Sequence, residues 1–147
     1  KKQGSFCAKT YRLLFGGVLR DKEKGEGLYY SGAPYVLIAA LILVIVMPKM
    51  VAMFAVSILL ISDTMAALVG RSVGKHKLVG HKTWEGTLAF ILSGFVVVII
   101  FYVLCDLSLW RMMSGVLLGV LGDLYNEKLH VDDNLSIPLL AAVPFLF

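Results

Sequence analysis

Apolar residues along this chain come in long blocks, with short polar stretches between them. Pro34 to Met47 is a nearly unbroken apolar run without charge. Pro48-Lys49 interrupts it. Met50 to Gly70 is a second run, and its strongly polar intrusions are Ser62 and Asp63. Trp84 to Leu104 is a third, with Glu85 in its first turn. Met112 to Leu121 is a short fourth segment, extended by Trp110 and Arg111. Leu135 to Phe147 is the last, broken by Pro138 and Pro144. A helix of about 20 apolar residues crosses the hydrocarbon core of a bilayer, and Ser31-Gly32-Ala33 can lengthen the first run toward that. The pattern predicts an all-α, polytopic transmembrane helix bundle with about five spans. Residues 1–147 read as a single membrane-embedded domain, polar and interfacial over 1–31, with spans and their loops over 32–147.

Between the blocks lie three polar stretches. In residues 1–31, Phe6, Tyr11, Leu14, Phe15 and Val18 fall near one face at helical spacing, as in an interfacial helix. Lys9, Arg12 and Arg20 on it can snorkel to water. Arg71 to Thr83 is a basic loop punctuated by glycine, and Gly122 to Asn134 is an acidic one. The chain starts with Lys, so the expectation is a trimmed N-terminus with one or more spans upstream. Residues 1–27 are too polar to supply the apolar region of a signal peptide.

Composition strengthens the membrane reading. Of 147 residues, 59% are hydrophobic and 16% charged, and the mean hydropathy is +0.83. Soluble domains carry about 45–50% apolar and about 25% charged residues. A net charge of +4 fits a cytoplasmic-side bias of Lys and Arg plus an anionic ligand. Basic and aromatic residues are not interleaved as nucleic-acid binding requires, so no nucleic-acid partner is expected. Cys7 and Cys105 fit no disulfide or metal spacing.

Charge also predicts sidedness. If each apolar run crosses once, 1–27, 71–82 and 122–134 share one side and hold 12 of the 14 Lys and Arg residues. The positive-inside rule puts that side in the cytoplasm, at a cell inner membrane or the endoplasmic reticulum. Every acid except Asp106 lies on or near the same face. Acids and bases concentrated at one interface point to a site.

Asp63 is the first candidate. A carboxylate at the end of a span must be paired, hydrated or bound to metal. It either bridges to Arg71 or a loop lysine, or it ligates Mg²⁺, an ion that prefers hard oxygen donors. The loop that follows sets Gly70, Gly74, Gly80 and Gly86 among Arg71, Lys75, Lys77 and Lys82. Glycine admits close backbone approach to an anion, and lysine neutralises phosphate. Thr83 can cap the helix starting at Trp84. Together with Glu85 this suggests a polyphosphate cradle, although the Walker A spacing is absent. Asp123 and Glu127 are four apart, so on a helix they would share a face. Asp132, Asp133 and Asn134 precede an apolar segment, so one of them serves as a helix cap, or the group adds metal ligands or a general base. His76, His81 and His130 lack a zinc spacing and read as polar loop residues, with His81 a weak phosphate contact.

SDTMAALVGRSVGKHKL followed by HKTWEGT resembles the membrane CTP-dependent lipid kinases, the group of dolichol kinase, phytol kinase and CTP-dependent diacylglycerol kinase. LRDKEKGEGLYYSGAPY and DDNLSIPLLAA are similar to that group too, so the likeness extends from about Leu19 to Ala142. The central loop is equally similar to that of phosphatidate cytidylyltransferases. Their C-terminal signature, with Lys-Asp and a Pro-Gly-His-Gly-Gly run ending in Asp-Arg, is absent here, which favours the kinase. The resemblance implies a catalytic domain that transfers the γ-phosphoryl group of CTP to a lipid alcohol: diacylglycerol, polyprenol or phytol. It places Asp63 and Asp123 on Mg²⁺, and Lys75, Lys77 and Lys82 on the phosphates. Glu85 orients a lysine or helps hold metal. Asp133 or Glu127 accepts the hydroxyl proton, and Arg20 and Glu23 close the site from the N-terminal side. A homodimer is expected by analogy with related membrane enzymes. The competing expectations are a cytidylyltransferase making CDP-lipid and a non-enzymatic transporter subunit. The latter predicts ionisable residues in mid-span, whereas here they gather at one interface.

Overall fold

The structure, a computed structural model, describes residues 32–129 and 131–147. Arg20, Glu23, His130 and the side chain of Glu127 lie outside the described residues. Apolar sequence becomes helix throughout. Helix α1 spans Gly32–Val46, and Pro48, which cannot continue an α-helix, sits at the bend before α2, Lys49–Ser57. A π-helical turn, Ile58–Asp63, joins α2 to α3, Thr64–Ser72, so Lys49–Ser72 is one long helix of 24 residues. After the basic segment come α4, Trp84–Cys105, and α5, Leu109–Leu129. Helix α6, Asp133–Ala142, ends in a 3₁₀ turn over Val143–Phe145.

Two of these elements depart from the sequence pattern. Residues 77–83 form a small antiparallel hairpin, β1 Lys77–Val79 and β2 Lys82–Thr83, within a fold that is otherwise helical. Gly80 at its turn has φ 55°, a conformation that glycine adopts without a Cβ clash. The acidic stretch is also not a loop over most of its length, because α5 runs on to Leu129 and carries Asp123. Leu124 of that added length packs on the core, which holds the helix together past the acids.

The core is a spine of Phe54, Ile58, Phe90, Val97, Met112, Val116 and Ile137, all essentially inaccessible to solvent. Phe54 lies edge-on to Phe101 and Phe145, with ring centroids 5.6 and 5.8 Å away. The outside is also apolar: Leu37, Leu41, Val44 and Ile45 of α1 and Leu88, Leu92, Val96 and Ile99 of α4 are exposed. Contiguous apolar surface on this scale marks contact with lipid or a partner. Among the described residues two helices, Lys49–Ser72 and Trp84–Cys105, are long and apolar enough to cross a membrane. Helix α1 has 15 residues and α6 has 10, short of that length.

Candidate functional site: three carboxylates under a basic hairpin

Three helices contribute one carboxylate each. The π-helical turn ends on Asp63, α5 carries Asp123, and Asp133 opens α6. Carboxylate oxygens of all three lie within 4.8 Å of one another. Asp123 and Asp133 are buried, and Asp63 is half-buried. The start of α6 is fixed locally. Asp132 caps it by accepting the Asn134 backbone N–H at 3.0 Å, and the Asn134 side-chain amide donates to Asp132 at 2.7 Å and to Asp133 at 3.3 Å. Ser136 ties the same turn to α5 by donating to the Gly122 carbonyl at 3.2 Å.

The hairpin supplies the cation. Lys82 on β2 donates to Asp123 at 2.5 Å, and its Nζ lies 3.7 Å from Asp133. Burial alone would lower the Lys82 pKa. The charge of Asp123, its hydrogen bond, and the charges of Asp133 and Asp63 outweigh burial and raise it. With all groups ionised, three carboxylates and one ammonium leave an excess of two negative charges in a partly dry pocket. Like charges this close resist joint ionisation unless a cation joins them. A cluster of hard oxygen donors with that excess suits a divalent ion such as Mg²⁺.

Gly70, Gly74 and Gly86 are occupied by local packing. A Cβ on Gly86 would stand 2.9 Å from the Ala66 carbonyl oxygen and 3.3 Å from the Gly70 Cα. Helices α3 and α4 therefore meet backbone to backbone at Gly70 and Gly86. Thr83 sits in that contact and caps α4, accepting the Gly86 N–H at 3.2 Å. A Cβ on Gly74 would press on the Gly70 carbonyl and on Thr83.

Arg71, Lys75, Lys77 and Glu85 are not members of the carboxylate cluster. Lys75, just before the hairpin, and Lys77, on its first strand, are exposed, and exposed Arg71 donates from Nε to its own helix at Ala67. Glu85 is engaged by His76, whose Nδ1 lies 2.8 Å from its carboxylate. His76 is a residue that sequence pattern passes over. A Val-Gly-His-Lys stretch between short runs is a hairpin signal that could have found its setting. Nothing local announces that Lys82 reaches Asp123, 41 positions along the chain.

The sequence profile described as "Cytidylyltransferase family" matches residues 9–127. An uncharacterized protein of Rickettsia prowazekii is 30% identical over 133 residues, 89% of this chain and 65% of that protein. One from Methanocaldococcus jannaschii is 30% identical over 142 residues, 92% of this chain and 68% of that protein. A probable phytol kinase 1, chloroplastic, of Oryza sativa subsp. japonica is 30% identical over 144 residues, 88% of this chain and 45% of that protein. The chain thus spans between about half and two thirds of the length of these relatives. No solved structure matches it.

Proposed function

The chain belongs to the cytidylyltransferase family, and from that premise we propose that it is a CTP-dependent lipid kinase acting on a membrane lipid alcohol. The observation that carries the reading is the cluster of Asp63, Asp123 and Asp133 with Lys82 bound into it, beneath a basic hairpin on an apolar bundle. The likeness to a probable phytol kinase supports the kinase branch. The bundle is a multi-pass membrane domain of about five spans with the site on the cytoplasmic face, where a soluble nucleotide meets a lipid hydroxyl. A homodimer is compatible with its apolar outer faces.

Phosphoryl transfer asks for positioning and charge neutralisation more than covalent chemistry. Asp63 and Asp123 would hold Mg²⁺, which would neutralise charge developing on the transferred group. Arg71, Lys75 and Lys77, on the exposed side of the hairpin, receive the phosphates of CTP. Lys82 links that side to the carboxylates. Gly70, Gly74 and Gly86 keep α3 tight against α4, and Thr83 fixes the start of α4. Asp133 takes the proton of the lipid hydroxyl. The freed oxygen forms a bond to the γ-phosphorus, the bond from that phosphorus to the β–γ bridging oxygen breaks, and CDP leaves with the electron pair. Protein in lipid vesicles given γ-labelled CTP and a panel of lipid alcohols should put label into one lipid. The family description itself favours a second reading, cytidylyl transfer to a phosphatidate. Label released as pyrophosphate, with no label in any lipid, would establish that reading and reject the kinase.

A further inference from the structure

The hairpin that carries Lys82 is too small to hold itself. Its strands have three and two residues, and their pairing is irregular between Lys77 and Val79. An isolated two-stranded hairpin is marginal even at greater length. What closes it is a neck between His76, just before β1, and the first turn of α4. The Glu85 carboxylate accepts the His76 backbone N–H at 3.3 Å and the ring Nδ1–H at 2.8 Å. The His76 carbonyl accepts the Trp84 N–H at 2.9 Å. A carboxylate can only accept, so the ring carries a proton on Nδ1. The ring is otherwise largely exposed, with 77% of its side-chain surface open. It fills no core space, and its bonds to Glu85 are what it contributes.

We propose that His76 is a positioning residue. Through Glu85 it seats the hairpin on the N-terminus of α4, and so holds the Lys82 ammonium against Asp123 and Asp133. Its consequence for phosphoryl transfer rests on the kinase reading above, but its effect on the carboxylate cluster does not. A hairpin that swings on its neck withdraws Lys82 and leaves the three carboxylates to one another. Displacements of about 1 Å at a site can cost on the order of 100-fold in rate.

The test uses the full chain in lipid vesicles with Mn²⁺ as the metal probe, read by electron paramagnetic resonance, alongside transfer kinetics. His76→Ala removes the ring donor, while His76→Asn keeps an N–H near the Nδ1 position. His76→Ala should lower kcat about tenfold with KM for the lipid unchanged, and His76→Asn should recover most of that. Lys82→Met removes a cation competing for the carboxylates and should tighten Mn²⁺ binding. His76→Ala should shift Mn²⁺ affinity the same way, and the double variant should bind no more tightly than Lys82→Met alone. Additive shifts, or His76→Asn behaving as His76→Ala, overturn the proposal. If neither the parent protein nor any variant transfers phosphate but the Mn²⁺ shifts remain non-additive, the kinase reading falls and the positioning role stands.

Discussion

The two long apolar helices are nearly equal in length and do different work. Trp84–Cys105 is an unbroken α-helix of 22 residues whose polar groups, the Thr83 cap and Glu85, sit at its start. Lys49–Ser72 is divided by the π-helical turn at Ile58–Asp63, which buries Ser62 completely and ends on Asp63. Asp63 lies about 14 Å short of the Ser72 end at 1.5 Å per residue. A carboxylate set among apolar residues costs free energy unless it is paired, hydrated or bound to metal. Lys82 of the hairpin bonds Asp123 directly and adds a weaker charge interaction with Asp63. Wide turns of this kind recur at functional sites. Length and apolarity identify both helices as candidate spans, but the irregular one carries the carboxylate that joins Asp123 and Asp133.

The largest expected effect tests that contrast directly. Asp63→Asn keeps the shape of the side chain and removes its charge. Transfer of labelled phosphate should fall at least about 100-fold, beyond what losing an outer-sphere partner of a metal costs. Ile99→Ala, on the exposed face of α4, should leave transfer within about twofold of the parent, because exposed positions tolerate truncation. Equal losses in the two variants would mean that the irregular helix has no special role.

Lys82→Met comes next, read as stability. It leaves buried Asp123 without its cation, and breaking such a pair costs up to about 3 kcal/mol. Chemical unfolding in detergent measures it. Adding Asp123→Asn should recover much of the loss, since the stranded charge is then gone. The pair also sets an alkaline limit. The folded-state pKa of Lys82 lies above the ordinary 10.5, so its contribution is intact below 10.5 and fades as pH rises through the folded value. Lys82→Met should lose that part of the alkaline destabilisation.

Smaller again is the contact that joins the two helices beside the hairpin. Gly86→Ala pushes a methyl against the Ala66 carbonyl and the Gly70 backbone, neither of which can turn aside. Overpacking of this kind costs about 1–3 kcal/mol. Gly70→Ala meets the Thr83 hydroxyl at 3.1 Å and backbone only at 3.6 Å, so it should cost less. The reverse order, read from thermal unfolding, would argue that Gly86 is not where α3 and α4 meet.

Much of this was legible from block pattern alone. The break at Pro48, the long helix from Trp84 and the Thr83 cap follow from apolar runs, a missing N–H and a hydroxyl in the right place. Asp63 is legible because charge beside apolar sequence is costly, and Asp123 because it lies four residues from Glu127 in an acidic stretch. What pattern missed depends on distance along the chain. The Lys82–Asp123 pair forms only once α5 and the hairpin have docked, and Asp133 joins only because α6 packs on α5. The glycines looked like an anion cradle because spacing does not reveal whether a ligand or another backbone uses the space they leave. The extension of α5 through the acidic stretch escaped notice because its polar composition mimics a loop.

The smallest effect separates the two helices most finely. Each buries one hydroxyl with no hydrogen-bond partner among the described residues, Ser62 on the irregular helix and Thr87 on the regular one. An unpartnered hydroxyl in a dry setting costs about 1–3 kcal/mol. Thr87→Val preserves shape and removes the polar atom, so it should stabilise by about 1 kcal/mol with activity unchanged. Ser62→Ala removes the same liability but leaves a small void, so its gain should be less, about 0.5 kcal/mol. Thermal unfolding and the labelled-CTP assay on both variants decide the matter. Gains in both variants with activity retained make both hydroxyls passengers of apolar packing. A loss of transfer confined to Ser62→Ala would extend the working part of the irregular helix one residue back from Asp63, into the π-helical turn itself.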